Sequence, residues 1–500
     1  MQAIIDSTST RELSLSLDEV QARLRRAPLV PVFREMLADT LTPVIAYRAL
    51  AGSGPAFLLE SVEGGERLGR YSFVAADPIG VITVKDGSTS VIDAGGRRQL
   101  PGFDPLDAVE RYLAGFKAEP VEGLPARFCG GAVGYLAYDA ARHLERLPLP
   151  VEDPTGVPDA IFLVADTLLC FDQVQHRLKL VSHVRRSDGA PEEAYAAAAA
   201  RIDALEARLQ RPVGLQSIPA PLGRRSIRAS AQRSRAEFIA AVERAKAYIR
   251  AGDLYQVQIA QRVTLPFAAD AFDVYRVLRA LNPSPYMYFL QLPGMTVLGT
   301  SPEILVTVDE GRLRYRPLAG TRRRGRDVEA DRRLEAELQA SEKERAEHIM
   351  LVDLGRNDLG RVAEIGSVQV TELLQIERYS HVMHLVSNIE ARLRADCTAM
   401  DALRACFPAG TVTGAPKIRA MEVIAELEQE RRGVYAGALG YLGFGGSLDT
   451  CIAIRTAVIK DGQATVQAAA GIVADSQPEQ EFLETQNKTA ALLQALEHVS

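Results

Sequence analysis

From Pro28 to about Val184 the chain is a succession of short apolar runs, FLLESVEG, YSFVAADP, VITVKDG and AIFLVADTLLCFD, divided by glycine-bearing turns. Runs of this length between such breaks are strands. The pattern predicts an antiparallel or mixed sheet with few helices. Ahead of it, residues 1–27 read as a polar entry with one short helix. Beyond it the texture changes. PEEAYAAAAARIDALEARLQRP reads as a single helix, its five consecutive alanines being the best helix formers and carrying no function. Residues 211–233 hold three prolines among serines and arginines with no periodicity, a linker by composition. Ser234-Arg235-Ala236-Glu237 then forms a capping box for a helix that buries Phe238, Val242, Ala245 and Ile249 and stops at Gly252. Strands and long helices alternate from there to the end, and no fixed-period repeat is visible. The expected division is 28–184, a helix and linker over 185–233, and a second large unit over 234–495.

The 500 residues are 47% hydrophobic, enough for a large core. A formal charge of −6 leaves no basic footprint for nucleic acid. The five cysteines, Cys129, Cys170, Cys397, Cys406 and Cys451, are odd in number, far apart and without a C-x-x-C, which speaks against a disulfide framework or a zinc site. The first residues, MQAIIDSTSTRELSLSLDEVQARL, have neither a positive start nor an apolar centre, and no stretch of about 18 apolar residues occurs. The expectation is a cytoplasmic protein with no membrane and no nucleic-acid partner.

Chemistry is concentrated in two acidic helical segments. SEKERAEHIMLVDLGRND carries Glu344 and Glu347, and EFLETQNKTAALLQAL carries Glu481 and Glu484. Each pair is spaced to share one helix face, beside apolar residues Ile349, Met350 and Leu351 in the first and Ala490, Leu492 and Leu493 in the second. A lone E-x-x-E is ordinarily a solvated face. Two of them can converge on one hard cation, because Mg²⁺ takes few carboxylate oxygens and keeps waters for a substrate.

The chain resembles the chorismate-utilising enzymes, and among them the large synthase subunits of anthranilate synthase. The likeness spans about residues 28–490 through motifs in a fixed order: LLES at 58–61, GGAVGYLAYD at 130–139, NPSPYM at 282–287, SPE at 301–303, PLAGT at 317–321, ERAEHIMLVDLGRND at 344–358, RYSHVMHLVS at 378–387, GTVTGAPK at 410–417 and AAGIVADS at 469–476. The resemblance implies an α+β fold of two stacked antiparallel sheets flanked by helices, with an N-terminal regulatory part packed on a chorismate-binding catalytic part.

It also implies roles for individual residues. Chorismate carries two carboxylates and must lose an allylic hydroxyl, a poor leaving group, so an acid is required; Glu303 of SPE matches that acid. Glu347 and Glu484 match ligands of Mg²⁺, which would hold the ring carboxylate, with Glu344 and Glu481 orienting its waters. Arg455 and Lys488 match the cations that meet the substrate carboxylates. Tyr435 supplies a hydroxyl, while Gly320, Thr321, Ala469, Ala470 and Gly471 admit close backbone contact. Relatives have Gly-Ala-Gly at the last site, so Ala469 is a departure. His384 and Thr411 line the site, His384 near the ring for the aromatising step. The run Arg322-Arg323-Arg324-Gly325-Arg326 is read as a solvated face and kept out of the site. GTVTGAPK imitates a phosphate loop but lacks its G-K-[ST] ending; Pro416 at a helix start accounts for it.

Which reaction the family fold performs is read from two positions. Water-using relatives carry a base lysine in a strand reading Y-Q-K-V, where this chain has Tyr255-Gln256-Val257-Gln258 and so places Val257 at the lysine. The para-aminobenzoate branch carries a nucleophilic lysine in P-I-K-G-T, where this chain has Ala319. Ammonia addition followed by pyruvate loss is the expected chemistry, with aminodeoxychorismate or aminodeoxyisochorismate formation as the alternative. A catalytically idle tryptophan sensor on the same fold is the alternative of another class, and the intact set of Glu303, Glu347, Glu484, Arg455 and Lys488 speaks against it. Cys129 lies in FCGGAVGY without an amidotransferase elbow, so ammonia is expected from a glutamine amidotransferase subunit in a heterodimer or heterotetramer. LLES and NPSPYM imply an L-tryptophan inhibitor pocket built by Leu59, Glu60, Ser61, Pro285, Tyr286 and Met287.

Overall fold

The structure is a computed structural model and describes residues 12–61, 70–100, 104–148, 150–219, 229–379 and 382–500. Two antiparallel sheets, each of 12 strands among the described residues, make an α+β body of the kind the resemblance implied. The first sheet runs through strands Leu29–Leu37, Arg177–Arg185, Thr167–Asp172, Tyr71–Ala76 and Ala56–Glu60. It continues into Tyr286–Leu292, Met295–Ser301, Thr456–Lys460, Gln463–Ile472 and Gln256–Pro266. The second has Val382–Arg392 near one end, then Arg312–Tyr315, Ile304–Asp309, Leu448–Ile452 and Ala438–Gly443. It continues into Gly131–Leu136, Ala160–Ala165 and Gly80–Lys85.

Each sheet therefore crosses from the first third of the sequence to the last half by strand pairing. Leu58 stands opposite Phe289 in the first sheet, and Gly134 opposite Gly440 in the second. The segments 28–184 and 234–495 share both sheets.

The alternation of side chains builds the layers. Phe57, Phe73, Val133, Tyr135, Val297 and Cys451 meet in a cluster fed by both sheets. Their neighbours Leu58 and Val74 join the helices outside the first sheet, while Ala132 and Leu136 join those outside the second. Two stacked sheets with helices on their outer faces follow from that period of two.

Local signals act where the sequence put them. The alanine-rich helix spans Pro191–Leu209 and buries Ala194, Ala198, Ile202 and Leu205. Ser234 caps the helix Arg235–Ala251 through a reciprocal bond pair with Glu237, and Gly252 ends it with φ of 85°. All five cysteines are free thiols. Among the described residues no helix is long and apolar enough to cross a membrane.

Candidate active site

Glu303 sits where the chain leaves the first sheet at Ser301 and enters the second at Ile304. A second crossing runs beside it in the opposite sense, from Ile452 to Thr456, and carries Arg455. The two crossings are stitched together. Ser301 Oγ donates to the Ile452 carbonyl at 2.7 Å, the Ile452 amide donates to the Glu303 carbonyl at 3.0 Å, and the Thr300 amide donates to the Arg455 carbonyl at 3.1 Å.

Burial sets the chemistry of both side chains. The Glu303 side chain lies in a residue only 6% exposed, and loss of hydration pushes its carboxyl up to about 7. The hydroxyl of Thr411, the Leu318 amide, Lys488 and Arg455 all act against that rise. Thr411 Oγ1 is buried and makes no hydrogen bond of ordinary geometry among the described residues, so it remains able to engage. Arg455 has Tyr435, Glu484 and Glu303 as longer-range company and no ion pair among the described residues; burial lowers its pKa. A largely enclosed cation with no paired anion among the described residues, beside an acid that is half protonated near neutrality, is an arrangement for an anionic substrate with a basic leaving group.

The remaining expected contacts surround this pair. Lys488 Nζ donates to the Ala469 carbonyl at 2.9 Å and meets Glu484 at 2.6 Å. The Tyr435 hydroxyl interacts with the backbone of Ala469, and burial pushes its pKa up to about 12. Ala469 is 3% exposed within the core cluster that also holds Ala260 and Ile472, so packing accommodates the methyl that relatives lack. Gly320 has φ of 60° at an irregularity between Ala319 and Thr321, and an added Cβ would come within 3.0 Å of Glu344 Oε2 and Leu338 Cδ1. His384 Nδ1 lies 3.1 Å from both the Gly320 carbonyl and Thr321 Oγ1. A proton on Nδ1 directed to that carbonyl leaves Nε2 as the basic nitrogen, and burial, the largest influence, lowers the ring's pKa.

The two acidic helices are Glu342–Gly360 and Pro478–Val499. Burial raises Glu347, Lys343 opposes the rise, and the charges of Glu344, Glu481 and Glu484 add to it. Burial also raises Glu481, against a Ser476 hydrogen bond and with Glu484 adding to it. The four carboxylates thus face one another across two helices. Lys343 stands 4.0 Å from Glu347 and Arg322 stands 3.0 Å from Glu344. Among the described residues no three His, Cys, Asp or Glu groups close on one point as a ready metal cage. The donor set fits a hard cation that takes one carboxylate from each helix and completes its shell with water and substrate.

Several sequence expectations need correction. Val257 is fully buried in the core, so a residue there cannot present an amine to the site. The period of two in strand Gln256–Pro266 turns Gln256 and Gln258 to the other face, where both amide tips lie within 2.8 Å of a Cβ built on Gly471. Neither is a base, and alternation was the signal that should have exposed them. Arg322 is no solvated charge: it bridges Glu337 and Glu344. The first acidic helix buries His348, Leu351, Val352, Gly355 and Leu359, leaving Ile349 exposed. The second buries Thr485, Thr489, Leu492, Ala495 and Leu496. In the RYSHVMHLVS motif Ser380 and His381 lie outside the described residues.

A separate cavity of about 290 Å³ lies between the sheets, lined by Leu59, Glu60, Ser61, Pro285, Tyr286 and Met287, with Ile304, Arg314, Tyr441 and Asp449 among its other walls. The structure thus brings together all six residues expected of an effector pocket. Ser61 Oγ is buried there without a hydrogen-bond partner among the described residues. Tyr286 donates to Asp449 at 2.6 Å. Glu60 also borders the cavity, but its carboxylate accepts from Tyr275 at 2.6 Å and from Arg279.

Comparison with known proteins places this geometry in a family. The model for chorismate binding enzymes matches residues 54–494. Anthranilate synthase component 1 of Acetivibrio thermocellus is 44% identical over 96% of this chain and 98% of its own length. That of Pseudomonas aeruginosa is 47% identical over 93% of this chain and 95% of its own. The crystal structure of anthranilate synthase component I from Streptococcus pneumoniae superimposes with a TM-score of 0.77 at 37% identity, covering 92% of this chain and 99% of that one. The chain belongs to the chorismate-binding enzyme family. It is an enzyme of that family, a lyase similar along nearly its whole length to anthranilate synthase components 1.

The raised Glu303 carboxyl makes a stability prediction with a definite sign. An unfolded glutamate ionises near its ordinary pKa and the folded one near 7, so folding is penalised progressively as pH rises between those values. The penalty is absent in acid and fully present above about 7, where it reaches on the order of 3 kcal/mol. Glu303→Gln removes it. Thermal unfolding of the variant should begin at higher temperature than wild type at pH 8 and converge with it near pH 4; equal melting at pH 8 would show that Glu303 is not held protonated.

Proposed function

We propose that the chain is the large, synthase subunit of an anthranilate synthase acting in tryptophan biosynthesis in the cytoplasm. It converts chorismate and ammonia to anthranilate, pyruvate and water. The observation that carries this reading is the buried, readily protonated Glu303 beside the unpaired Arg455, in a chain that aligns end to end with anthranilate synthase components 1.

Arg455 and Lys488 receive the substrate carboxylates, Arg455 as a fork and Lys488 as a point charge. Tyr435, Thr321 and the backbone of Gly320 and of Ala469 to Gly471 fix the ring. Ammonia places its lone pair on C2, the ring double bonds shift, and the C4–O bond breaks as Glu303 gives its proton to the departing oxygen. Neutral His384 then takes the C2 proton through Nε2. The C3–O bond breaks, the side chain leaves as enolpyruvate, which takes up a proton at its methylene carbon to become pyruvate, and the ring becomes aromatic. Mg²⁺ bound by Glu347 and Glu484, with Glu344 and Glu481 behind them, would neutralise the ring carboxylate and steady its position.

Ammonia is mostly ammonium at neutral pH, so a separate glutamine amidotransferase subunit is the source we assign. The isolated chain given chorismate, Mg²⁺ and ammonium at alkaline pH should form anthranilate and pyruvate in equal amounts, and glutamine alone should give neither. Amination without pyruvate would favour the aminodeoxychorismate or aminodeoxyisochorismate alternative. Turnover with glutamine and no second protein would remove the partner from the proposal.

Glu347→Gln and Glu484→Gln each remove one charged ligand from a two-carboxylate site. Either should lower the Mg²⁺-dependent rate by about a thousandfold or more, roughly 4 kcal/mol of transition-state stabilisation, with melting little changed. Near-normal Mg²⁺-dependent turnover in either variant overturns the metal assignment.

The inter-sheet cavity is assigned to L-tryptophan as feedback inhibitor, at the lower end of the roughly 300–1,000 Å³ common for small-molecule sites. Ser61→Arg puts a long cation in place of the unpartnered hydroxyl. The tryptophan concentration for half inhibition should rise at least about tenfold, because inhibition depends on differential affinity for two states. Unaltered inhibition in the variant would locate the effector elsewhere.

A further inference from the structure

Among the described residues Arg432 is the largest fully buried side chain, 2% exposed, and it is absent from every role assigned so far. Its guanidinium forms a bidentate pair with Glu428, Nε to Oε2 at 2.8 Å and Nη2 to Oε1 at 2.6 Å. Its other donors reach past that partner. Nη1 donates to the Val412 carbonyl at 2.8 Å and Nη2 to the Gln258 carbonyl at 2.9 Å. Glu428 Oε1 in turn accepts from the Ala260 amide at 2.8 Å. The guanidinium carbon lies 4.6 Å from the Tyr138 ring centre and 5.8 Å from that of Tyr435.

Each target is one step from a substrate contact. Val412 follows Thr411 in the four-residue turn Gly410–Thr413, too short to hold its own geometry. Gln258 stands opposite Gly471 in the strand pair, and Ala260 opposite Ala469. Tyr435 is itself one of the expected contacts. Arg432 is fixed in its turn by Gln467, which donates to its carbonyl at 2.8 Å, while Asp139 accepts from the following Gly433 amide at 2.7 Å.

A buried ion pair is a poor device for stability alone, since apolar residues of equal volume commonly serve as well or better. A planar fork with donors in fixed directions does what an apolar residue cannot. We propose that Arg432 is a positioning residue for the reaction: through the Val412 carbonyl it holds Thr411 against Glu303, and through Gln258 and Glu428 it sets the strand facing Ala469 and Gly471. This inference rests on the functional reading above.

The test is a double-substitution cycle measured on the full chain with chorismate, Mg²⁺ and ammonium. Arg432→Lys keeps the charge but cannot reach Glu428 and both carbonyls in one plane. It should lower kcat about tenfold or more while moving the chorismate KM much less. Introduced into Thr411→Val it should lower kcat far less than it does in wild type, because the group it positions is gone. Wild-type kcat in folded Arg432→Lys, or losses that simply multiply, would overturn the proposal. If Arg432→Lys does not fold, Glu428→Gln, which frees the fork, decides the same cycle by the same criterion. Should wild type release another amination or hydration product from chorismate, the cycle is read on that product, so the functional reading and this inference fail separately.

Discussion

The active site depends on a pair of chain crossings between two sheets. Strand Met295–Ser301 belongs to one sheet and Ile304–Asp309 to the other, leaving two residues between them to make the passage. Leu448–Ile452 and Thr456–Lys460 make the return passage with three. Neither link can pair as a strand, so its backbone groups need partners outside a ladder: Ala453 finds them in Ala436 and Gly437, and the two crossings also bond to one another. The Ser301 hydroxyl, the Ile452 amide and the Thr300 amide do this. Two side chains that leave these links, Glu303 and Arg455, are then held by sheets on both sides. Their positions follow from the sheets and not from a mobile loop, which is the preorganisation a buried acid and an unpaired cation require.

The same crossing links the site to the inter-sheet cavity. Ile304 is part of the cavity wall and is the residue after Glu303. Asp449, another wall residue, begins three positions before the Ile452 amide that holds the Glu303 carbonyl. A molecule that spread the sheets at Tyr286 and Asp449 would load the strand whose Ile452 amide holds the Glu303 carbonyl. On the proposed reading, this shared strand is the element whose two arrangements effector and substrate would prefer differently.

Much of this was legible in the sequence, and the failures have one cause. Motif order identified the residues that carry charge, and the structure brings Glu303, Thr411, Arg455, Lys488 and Tyr435 to one place. Capping signals at Ser234 and Gly252 ended a helix where they stood. What went unread depends on which face a residue takes. Val257 was matched by motif position, and the strand's alternation sends it into the core and Gln256 and Gln258 toward Gly471. Of the contiguous apolar residues Ile349, Met350 and Leu351 on the first acidic helix only Leu351 is buried, because a helix buries a stripe about 100° wide, here Leu351 with His348, Val352 and Gly355. Arg322 and Arg432 escaped because their partners lie in other elements, Glu344 on a helix, Val412 in a short helical turn and Gln258 on a strand. Tertiary partners leave no mark on local spacing.

The acidic helices show how like charges are kept together within one fold. Glu344 lies in the first turn of one helix and Glu481 in the first turn of the other, where unpaired amides and the helix dipole favour negative charge, with Glu347 and Glu484 one turn further in. That offsets part of the repulsion between the two pairs. The remainder is met by cations from the same neighbourhood: Lys343 beside Glu347, Arg322 on Glu344, and Lys488 on Glu484. Lys488 is also the residue assigned to a substrate carboxylate, so its bond to Glu484 and that role compete for one ammonium. A divalent cation on Glu484 would release Lys488 toward the substrate, and a substrate carboxylate on Lys488 would free Glu484 for the cation. On the proposed reading, metal and substrate therefore assist one another through a single lysine, with binding of each strengthened by the presence of the other as linkage requires.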